Sequence, residues 1–193
     1  MRRLIYIPIV HTEADMGSVS EEMKKEYIAR YGKSRWLEHL RLIDRLWENI
    51  GKRLLAMPLE YGKTRLYQDG LPICGKEEDI VRELVGMGSK NHILLMELME
   101  KGATLMGTES PDLLIQEHRN IKDMVSEQGK GGGKMKLNAF RSISNGLLAK
   151  RDHFIAARIS DTLLEGETGI LFIGAMHKVE KSLPKEIRIV YLT

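Results

Sequence analysis

Two short apolar runs, one near each end of the chain, most constrain its fold. Residues 4–10 are rich in β-branched and aromatic side chains and stop at His11, and residues 169–175 form a similar run before Met176 and His177. Runs of this length and composition are typical of strands that are buried on both faces in a parallel sheet. Ligands of open α/β sheets bind beyond the carboxyl ends of the strands. Two histidines placed there would converge on one site.

Strand and helix patterns alternate between these two runs. Further short strands are predicted at 64–68, 102–107 and 187–192. Apolar residues recur every three or four positions elsewhere, which predicts helices over 21–30, 34–54, 80–85 and 90–99, from 111 to a glycine-rich stretch, and over 137–164 as one long helix or as two with a break near Gly146. This alternation predicts one domain, residues 1–193, with an α/β fold: a mostly parallel central sheet of about five strands, helices on both faces and long helical insertions.

The composition favours a cytoplasmic protein with an ordinary core. Of the 193 residues, 42% are apolar and 30% are charged, which supports both a core and a wet surface. The net charge of +3 is small and spread along the chain, so no nucleic-acid partner is predicted. Cys74 is the single cysteine, which fits a reducing compartment. Because no apolar run approaches the roughly 20 residues of a membrane helix, and the first run is broken at Pro8, no membrane association or export signal is predicted.

Four candidate side chains are predicted at strand ends on one edge of the sheet: His11, Asp69, Glu109 and His177. Imidazole nitrogens and carboxylate oxygens from separate parts of a chain can hold a divalent metal ion or act as acid–base groups. The alternative is a structural role, since histidines at strand ends also bind neighbouring carbonyl groups and acids there also cap helices.

Three further residues are candidates for catalysis or ligand binding at the strand ends. Glu13, two positions after His11, would polarise a water or join a metal shell, or would be a solvated first-turn acid. Arg151 and Asp152 lie on a late helix, where an arginine aimed at the strand ends would bind a carboxylate or phosphate. The alternative for Arg151 is a surface ion pair with Asp152 or Glu127.

The glycine-rich stretch 128–136 is predicted to be a mobile loop. Its Lys130-Gly131-Gly132-Gly133-Lys134 core is not a phosphate-binding loop, because such a loop follows a strand and opens a helix, whereas a helix precedes this one.

Two tetrapeptides and a dipeptide carry a family resemblance: Pro8-Ile9-Val10-His11, Gly174-Ala175-Met176-His177 and, between them, Arg151-Asp152. They resemble the superfamily that contains the TraB/PrgY pheromone-shutdown proteins, the Tiki metalloproteases, the erythromycin esterases and the ChaN-like haem-binding proteins. Those families have a Gly-x-x-His motif at each end and a Glu-Arg-Asn/Asp motif between. The resemblance covers the two ends of this chain.

The chain departs from the superfamily pattern at two positions. Pro8 replaces the glycine of the first motif, and Lys150 replaces the glutamate before Arg151. If that glutamate is a ligand or base in the active members, this chain needs Glu13, Asp69 or Glu109 in its place, or has lost hydrolysis.

The resemblance implies a hydrolase that acts on a small-molecule or peptide substrate. A divalent metal ion held by His11, His177 and a carboxylate would lower the pKa of a bound water. Glu13 or Glu109 would pass the proton to the leaving group, and Arg151 would hold an anionic part of the substrate or the oxyanion. A metal-free version uses one histidine directly as the general base.

Two other functions are compatible with the same residues. A non-catalytic ligand-binding or regulatory protein would keep Asp69, Glu109 and Asp152 as ligand-binding groups in the crevice. A scaffolding role would use the broad apolar face of residues 36–54 to make a homodimer.

Overall fold

The computed structural model describes the backbone of residues 1–10, 20–128 and 134–192, and the side chains of these residues except 20–23, 124–128 and 134–142. The strands are Arg2–Ile9 (β1), Thr64–Gln68 (β2), Thr104–Met106 (β3), Thr168–Gly174 (β4) and Ile187–Tyr191 (β5). They form one sheet in the order β3-β2-β4-β1-β5, and every pair is parallel. The predicted α/β fold with a five-stranded sheet is therefore confirmed.

Six α-helices connect the strands within the described part of the chain. They are Ser20–Tyr31 (α1), Lys33–Leu55 (α2), Glu77–Gly86 (α3), Lys90–Glu100 (α4), Pro111–Gln128 (α5) and Lys134–Thr162 (α6), with 3-10 turns at Tyr61–Lys63 and Val179–Lys181. Gly32, whose φ of 85° suits glycine, separates α1 from α2. Ser89 caps α4 by accepting a hydrogen bond from the backbone N–H of His92.

The structure decides between the two alternatives for residues 137–164 and corrects the bounds of the glycine-rich stretch. A single helix, Lys134–Thr162, is present, because Gly146 is exposed, a Cβ there would meet nothing within 4 Å, and a glycine costs a helix only about 1 kcal/mol. The glycine-rich stretch is shorter than 128–136, because α5 reaches Gln128 and the good helix formers from Lys134 onward belong to α6. Residues 129–133 lie outside the described residues.

Helices cover both faces of the sheet, as the alternating pattern predicts. One face packs against α2, α3 and α4 through a buried cluster that includes Trp47, Leu54, Val81, Leu95 and Phe172. The other face packs against α6 and the second 3-10 turn through Tyr67, Ile155, Ile159, Leu171 and Val179. Because β1, β2 and β4 are buried on both faces, their carboxyl ends are held rigidly at one edge.

The apolar face of the C-terminal half of α2 packs in the core of the protein. Ile43, Trp47, Ile50 and Leu54 are buried against the sheet. Leu37 and Leu42 remain exposed on the same helix. The homodimer stays a prediction, and it would have to use this N-terminal half.

No helix in the described ranges is both long enough and apolar enough to span a lipid bilayer.

A bidentate ion pair lies at the amino-terminal edge of the sheet, opposite the carboxyl ends of the strands. Arg65 on β2 donates from Nε and Nη2 to the two carboxylate oxygens of Glu167 at 3.0 and 2.7 Å. Glu167 also accepts the backbone N–H of Leu164 at 2.9 Å. The Arg65 hydrogen bonds lower the pKa of Glu167 below its ordinary value. A carboxyl group whose pKa is lower in the folded chain stabilises the fold only while it is ionised.

We expect Glu167→Gln to lower the free energy of unfolding by about 1.5 kcal/mol at pH 7, since charge-assisted hydrogen bonds contribute about this much. The difference between variant and wild type should shrink as the pH falls below the ordinary glutamate pKa of about 4.3, because the unfolded chain takes up the proton first and the folded chain follows only at its lower pKa. Urea unfolding at several pH values measures this. Glu165→Gln is the control, because Glu165 is exposed and pairs only with the N-terminal ammonium among the described contacts; a similar loss in both variants would contradict the prediction.

Candidate functional site

Five of the predicted site residues lie together at the carboxyl edge of the sheet: Asp69, Glu109, Arg151, Asp152 and His177. Each is buried, although each carries a charged or polar side chain. Buried charges are stable only when they are paired and hydrogen-bonded.

Asp69 follows β2 directly, and the sheet itself positions it. Its backbone N–H donates to the carbonyl of Phe172 at 2.9 Å, and its Oδ2 accepts the backbone N–H of Gly174 at 2.8 Å. Gly70 comes next with φ of 77°, a value that favours glycine. Its N–H donates to Glu109 Oε1 at 2.7 Å. The turn after β2 therefore aims two acids at the same point.

Glu109 is positioned by the loops that follow β2 and β3. The backbone N–H groups of Thr108 and Glu109 both donate to the carbonyl of Leu71 at 3.0 Å, and the N–H of Ile73 donates to the carbonyl of Glu109 at 2.9 Å. These bonds extend the pairing of the two strands beyond the sheet. Glu109 thus lies between a strand end and the start of α5, as its position in the sequence predicts.

Arg151 on α6 is the cation at the centre of the cluster. It donates from Nε and Nη2 to the two oxygens of Glu109, both at 2.6 Å, and from Nη2 to Asp69 Oδ1 at 2.8 Å. Its Nη1 donates to Glu117 Oε2 at 2.5 Å. Four hydrogen bonds to three carboxylates leave Arg151 at most one N–H for a substrate. Of the two partners that the surface interpretation names, Asp152 binds His177 and the backbone of Lys178 instead, and the side chain of Glu127 lies outside the described residues.

For both Arg151 and Glu109, burial and the charge of the other residue shift the pKa in opposite directions. Burial disfavours the Arg151 cation, but the hydrogen bonds and charges of Glu109, Asp69 and Glu117 outweigh it and raise the pKa of Arg151. Burial raises the pKa of Glu109, while the bidentate contact with Arg151 opposes that shift. Removing Arg151 would therefore leave the effect of burial on Glu109 opposed only by the backbone N–H of Gly70 among the described contacts.

His177 and Asp152 form a dyad beside this cluster. His177 lies in the turn after β4, where its N–H donates to the carbonyl of Gly174 at 3.0 Å. Its Nδ1 is 2.6 Å from Asp152 Oδ1, and Asp152 Oδ2 accepts the backbone N–H of Lys178 at 2.9 Å. Because a carboxylate can only accept, Nδ1 carries the proton and donates. His177 Nε2 is then directed at Asp69, 3.5 Å from Oδ2.

The other two predicted site residues, His11 and Glu13, lie outside the described residues. The last residue of β1, Ile9, pairs with Gly174, so the strand before His11 ends beside the turn that carries His177. Convergence of the two histidines stays a prediction.

Sequence reasoning missed Glu117 and the backbone donors of Gly70, Gly174 and Lys178. Glu117 lies in the middle of α5, where an acid without a strand end or motif beside it has no distinguishing signal. The backbone donors follow from sheet register and turn shape, which the sequence does not show.

The described residues do not fit a metal centre. No group of three or more His, Cys, Asp or Glu side chains among them is arranged to hold a metal ion. The chemistry of the donors agrees: Asp69 and Glu109 are bound by Arg151, and both Asp152 oxygens accept hydrogen bonds. A cationic guanidinium at the centre of the carboxylates takes the place that a divalent metal ion would need. The divalent metal cofactor stays a prediction that depends on His11 and Glu13.

At Gly107 the loop after β3 approaches the loop after β2 so closely that a side chain would not fit. A Cβ at this position would lie 2.7 Å from Glu77 Oε1, 2.9 Å from Ile73 Cα and 3.1 Å from the carbonyl oxygen of Pro72. The carbonyl of Gly107 also accepts a hydrogen bond from Arg158 Nε at 2.9 Å. Two of the three close atoms are backbone, so the loops would have to separate.

We expect Gly107→Ala to lower the free energy of unfolding by about 2–3 kcal/mol, as overpacking does in tight interiors. Thermal or urea unfolding measures it. Gly86→Ala is the matched control, because Gly86 lies in α3 with open space around it, and alanine there should raise stability slightly. Equal effects of the two substitutions would refute the close contact.

Comparison of the chain with protein-family models, with curated proteins and with solved structures finds no significant match.

Proposed function

We propose that the chain is a hydrolase in which the Asp152–His177 dyad activates water at the carboxyl edge of the sheet. The observation that carries the proposal is the geometry of His177: Asp152 holds Nδ1 at 2.6 Å, so the basic Nε2 is directed into a cluster of carboxylates. An imidazole oriented by a buried carboxylate is the general-base unit of many hydrolases. The resemblance to the TraB, Tiki and erythromycin esterase superfamily agrees with this chemistry and is part of the proposal.

The reaction proceeds in two proton transfers. His177 Nε2 takes a proton from water as the oxygen attacks the carbonyl carbon of an ester or amide. The imidazolium then returns that proton to the leaving oxygen or nitrogen, and the carbon–leaving group bond breaks to give an acid and an alcohol or amine. Asp152 and Asp69 stabilise the positive charge on His177 between the two steps.

The charge of the cluster restricts the substrate. Four acids lie here, Asp69, Glu109, Glu117 and Asp152, and Arg151 is the one permanent cation that binds them among the described contacts. A neutral or cationic small molecule or peptide is favoured at this edge over a polyanion. An anionic group on the substrate would bind by displacing Glu117 from Arg151, since the Glu117 side chain is 34% exposed and the other carboxylates are buried.

The test is hydrolysis of p-nitrophenyl acetate by wild type and by His177→Gln. We expect wild type to exceed the uncatalysed rate and the variant to lose about 10²–10⁴ of kcat, the usual effect of removing a general base. Added EDTA should leave the wild-type rate unchanged. Loss of activity with EDTA would replace this mechanism with the metal-dependent one.

His153→Gln is the matched control for this test. His153 is the neighbouring residue to Asp152 on α6, but it is exposed and its Nδ1 contacts only the carbonyl of Ala149 among the described atoms. Any imidazole can hydrolyse this ester slowly, so equal losses in the two variants would contradict the assignment of His177.

Two observations favour a second function: His177 is only 8% exposed, and Arg151 has four of its five N–H donors occupied. A ligand-binding or regulatory protein without catalysis would have such a saturated site. A wild-type protein that is inactive on a panel of esters and amides would favour this second function.

We further propose that the protein works in the cytoplasm, where the exposed thiol of Cys74 would stay reduced.

A further inference from the structure

Five side chains contain buried polar atoms with no hydrogen-bond partner among the described residues, and three of these side chains come from α2, β2 and α4, which pack together on one face of the sheet. These three are Trp47 through Nε1, Gln68 through Oε1, and Asn91 through both Nδ2 and Oδ1. All three side chains belong to residues that are less than 5% exposed. A buried donor or acceptor without a partner costs free energy, so natural chains retain few of them.

Trp47 and Gln68 lie on the same face of the sheet at the same level. Gln68 alternates with Leu66 along β2, so both side chains point towards α2 and α4. Gln68 is paired with Phe172 in the sheet register, and the ring of Trp47 lies 6.2 Å from the ring of Phe172. Both unpartnered atoms therefore belong to the surroundings of one phenylalanine near the carboxyl edge.

Asn91, in the first turn of α4, lies at the same height along the strands as Gln68 and Trp47. It precedes Leu94 and Leu95 by three and four residues, so it shares the helix face that packs on this side of the sheet. Leu94 is near Gly51 of α2, and Lys90 forms an ion pair of 3.9 Å with Asp44. These two contacts lie on either side of Asn91 along α4, and Trp47 lies between Asp44 and Gly51 on α2.

Gln68 connects this group of residues to the catalytic edge. Its Nε2 donates to the carbonyl of Asp69 at 3.0 Å, and its backbone N–H donates to Thr108 Oγ1 at 2.9 Å. Its Oε1 has no partner among the described residues, and its side chain lies on the sheet face that α2 and α4 cover. A molecule bound there would lie next to the carboxylate that faces His177.

We propose that Trp47, Gln68 and Asn91 form a recognition subsite for an uncharged amide edge, the paired N–H and C=O found in carboxamides, lactams and nucleobases. The ligand carbonyl would accept from Trp47 Nε1 and Asn91 Nδ2, and the ligand N–H would donate to Gln68 Oε1 or Asn91 Oδ1. No formal charge is present in these three side chains, so a charged ligand gains nothing here. As a substrate subsite it rests on the proposed function; as a binding site it does not.

The test uses NMR titration of ¹⁵N-labelled protein with 2-pyrrolidinone, which has the amide edge, and with cyclopentanone, which has the same ring and only the carbonyl. The chain has two tryptophans, so two indole N–H signals are expected. Trp47 should shift in a saturable way with 2-pyrrolidinone at an affinity at least tenfold tighter than with cyclopentanone. Trp36 is the internal control and should not move. Equal responses to the two compounds, or none at Trp47, would overturn the proposal.

Asn91→Leu provides a second measurement. It removes two unpartnered groups with little change in volume, so it should abolish binding of 2-pyrrolidinone while raising the melting temperature by about 3 °C. A lower melting temperature together with unchanged binding would overturn the proposal. If this variant does not fold, Trp47→Phe removes one donor and keeps an aromatic ring, and it should weaken binding at least fivefold; unchanged binding would again overturn it.

His177→Gln separates this proposal from the catalytic one. The substitution leaves Trp47, Gln68 and Asn91 intact, so 2-pyrrolidinone should bind to it as to wild type. Binding with no hydrolysis in any form of the protein would keep the subsite and reject the hydrolase; hydrolysis without binding would do the reverse.

Discussion

Replacing Arg151 by methionine should lower the free energy of unfolding by about 3–5 kcal/mol, the usual cost of removing one partner of a buried ion pair. Methionine keeps much of the length of the side chain, so the loss would come from charge and hydrogen bonds. Asp69 and Glu109 would keep their burial and lose their shared cation. Urea unfolding measures the effect, provided that the slope with denaturant is unchanged.

The pH dependence of this variant gives an independent check. A carboxyl group whose pKa is raised in the folded chain stabilises the fold when protonated and loses that contribution as the pH rises. Burial raises the pKa of Glu109, and without Arg151 only the backbone N–H of Gly70 opposes that shift among the described contacts. The difference in the free energy of unfolding between wild type and Arg151→Met should therefore become smaller as the pH is lowered from 7 to 5. A difference that does not change with pH would show that lost packing, not charge, is the cause.

Arg82→Met is the control for Arg151→Met. Arg82 also contacts two acids, Glu78 and Asp79, but on the exposed surface of α3. Exposed pairs contribute little because water screens them. A large loss in both variants would contradict the claim that burial decides the cost.

Asp152→Asn should lower kcat for ester hydrolysis by about 10³–10⁴ while leaving the fold intact, as the isosteric change does in triad hydrolases. An asparagine can turn its oxygen to the backbone N–H of Lys178 and its NH₂ to His177 Nδ1. Every hydrogen bond is then satisfied, but Nδ1 becomes an acceptor and the proton moves to Nε2. His177 stays in place and can no longer take a proton from water.

The measurement combines kinetics with a fold readout. Circular dichroism and the melting temperature should change little in Asp152→Asn, in contrast to Arg151→Met. Asp161→Asn, on an exposed turn of the same helix, should have wild-type activity. Wild-type activity in Asp152→Asn would show that the dyad does not act as the base.

Much of the fold follows from the sequence because its strands are short, apolar and bounded by turn residues. The run over 64–68 matches β2 residue for residue, and Ser110-Pro111-Asp112 marks the start of α5. The same signals predict Asp69 and Glu109 at strand ends, where the structure has them. Strand order could not be predicted, because pairing between distant strands leaves no local pattern.

The roles of the site residues were harder to predict than their positions. Arg151 has the residue type of an anion-binding group, yet the structure surrounds it with the chain's own carboxylates. That outcome depends on Glu117, which approaches from a helix on which no motif marks it. Likewise, Asp152 on α6 binds His177 in the turn after β4, and this long-range contact leaves no pattern in the spacing along the chain.

The position of β1 in the sheet has a consequence for how the chain is made. Arg3 pairs with Thr168 on one side and Arg188 on the other, so β1, which is made first of the five strands, has no neighbour in the sheet until β4 follows. At about 5–20 residues per second, this strand waits roughly 10 to 30 s without its partners. Slow codons in the transcript ahead of β4 would lengthen that wait.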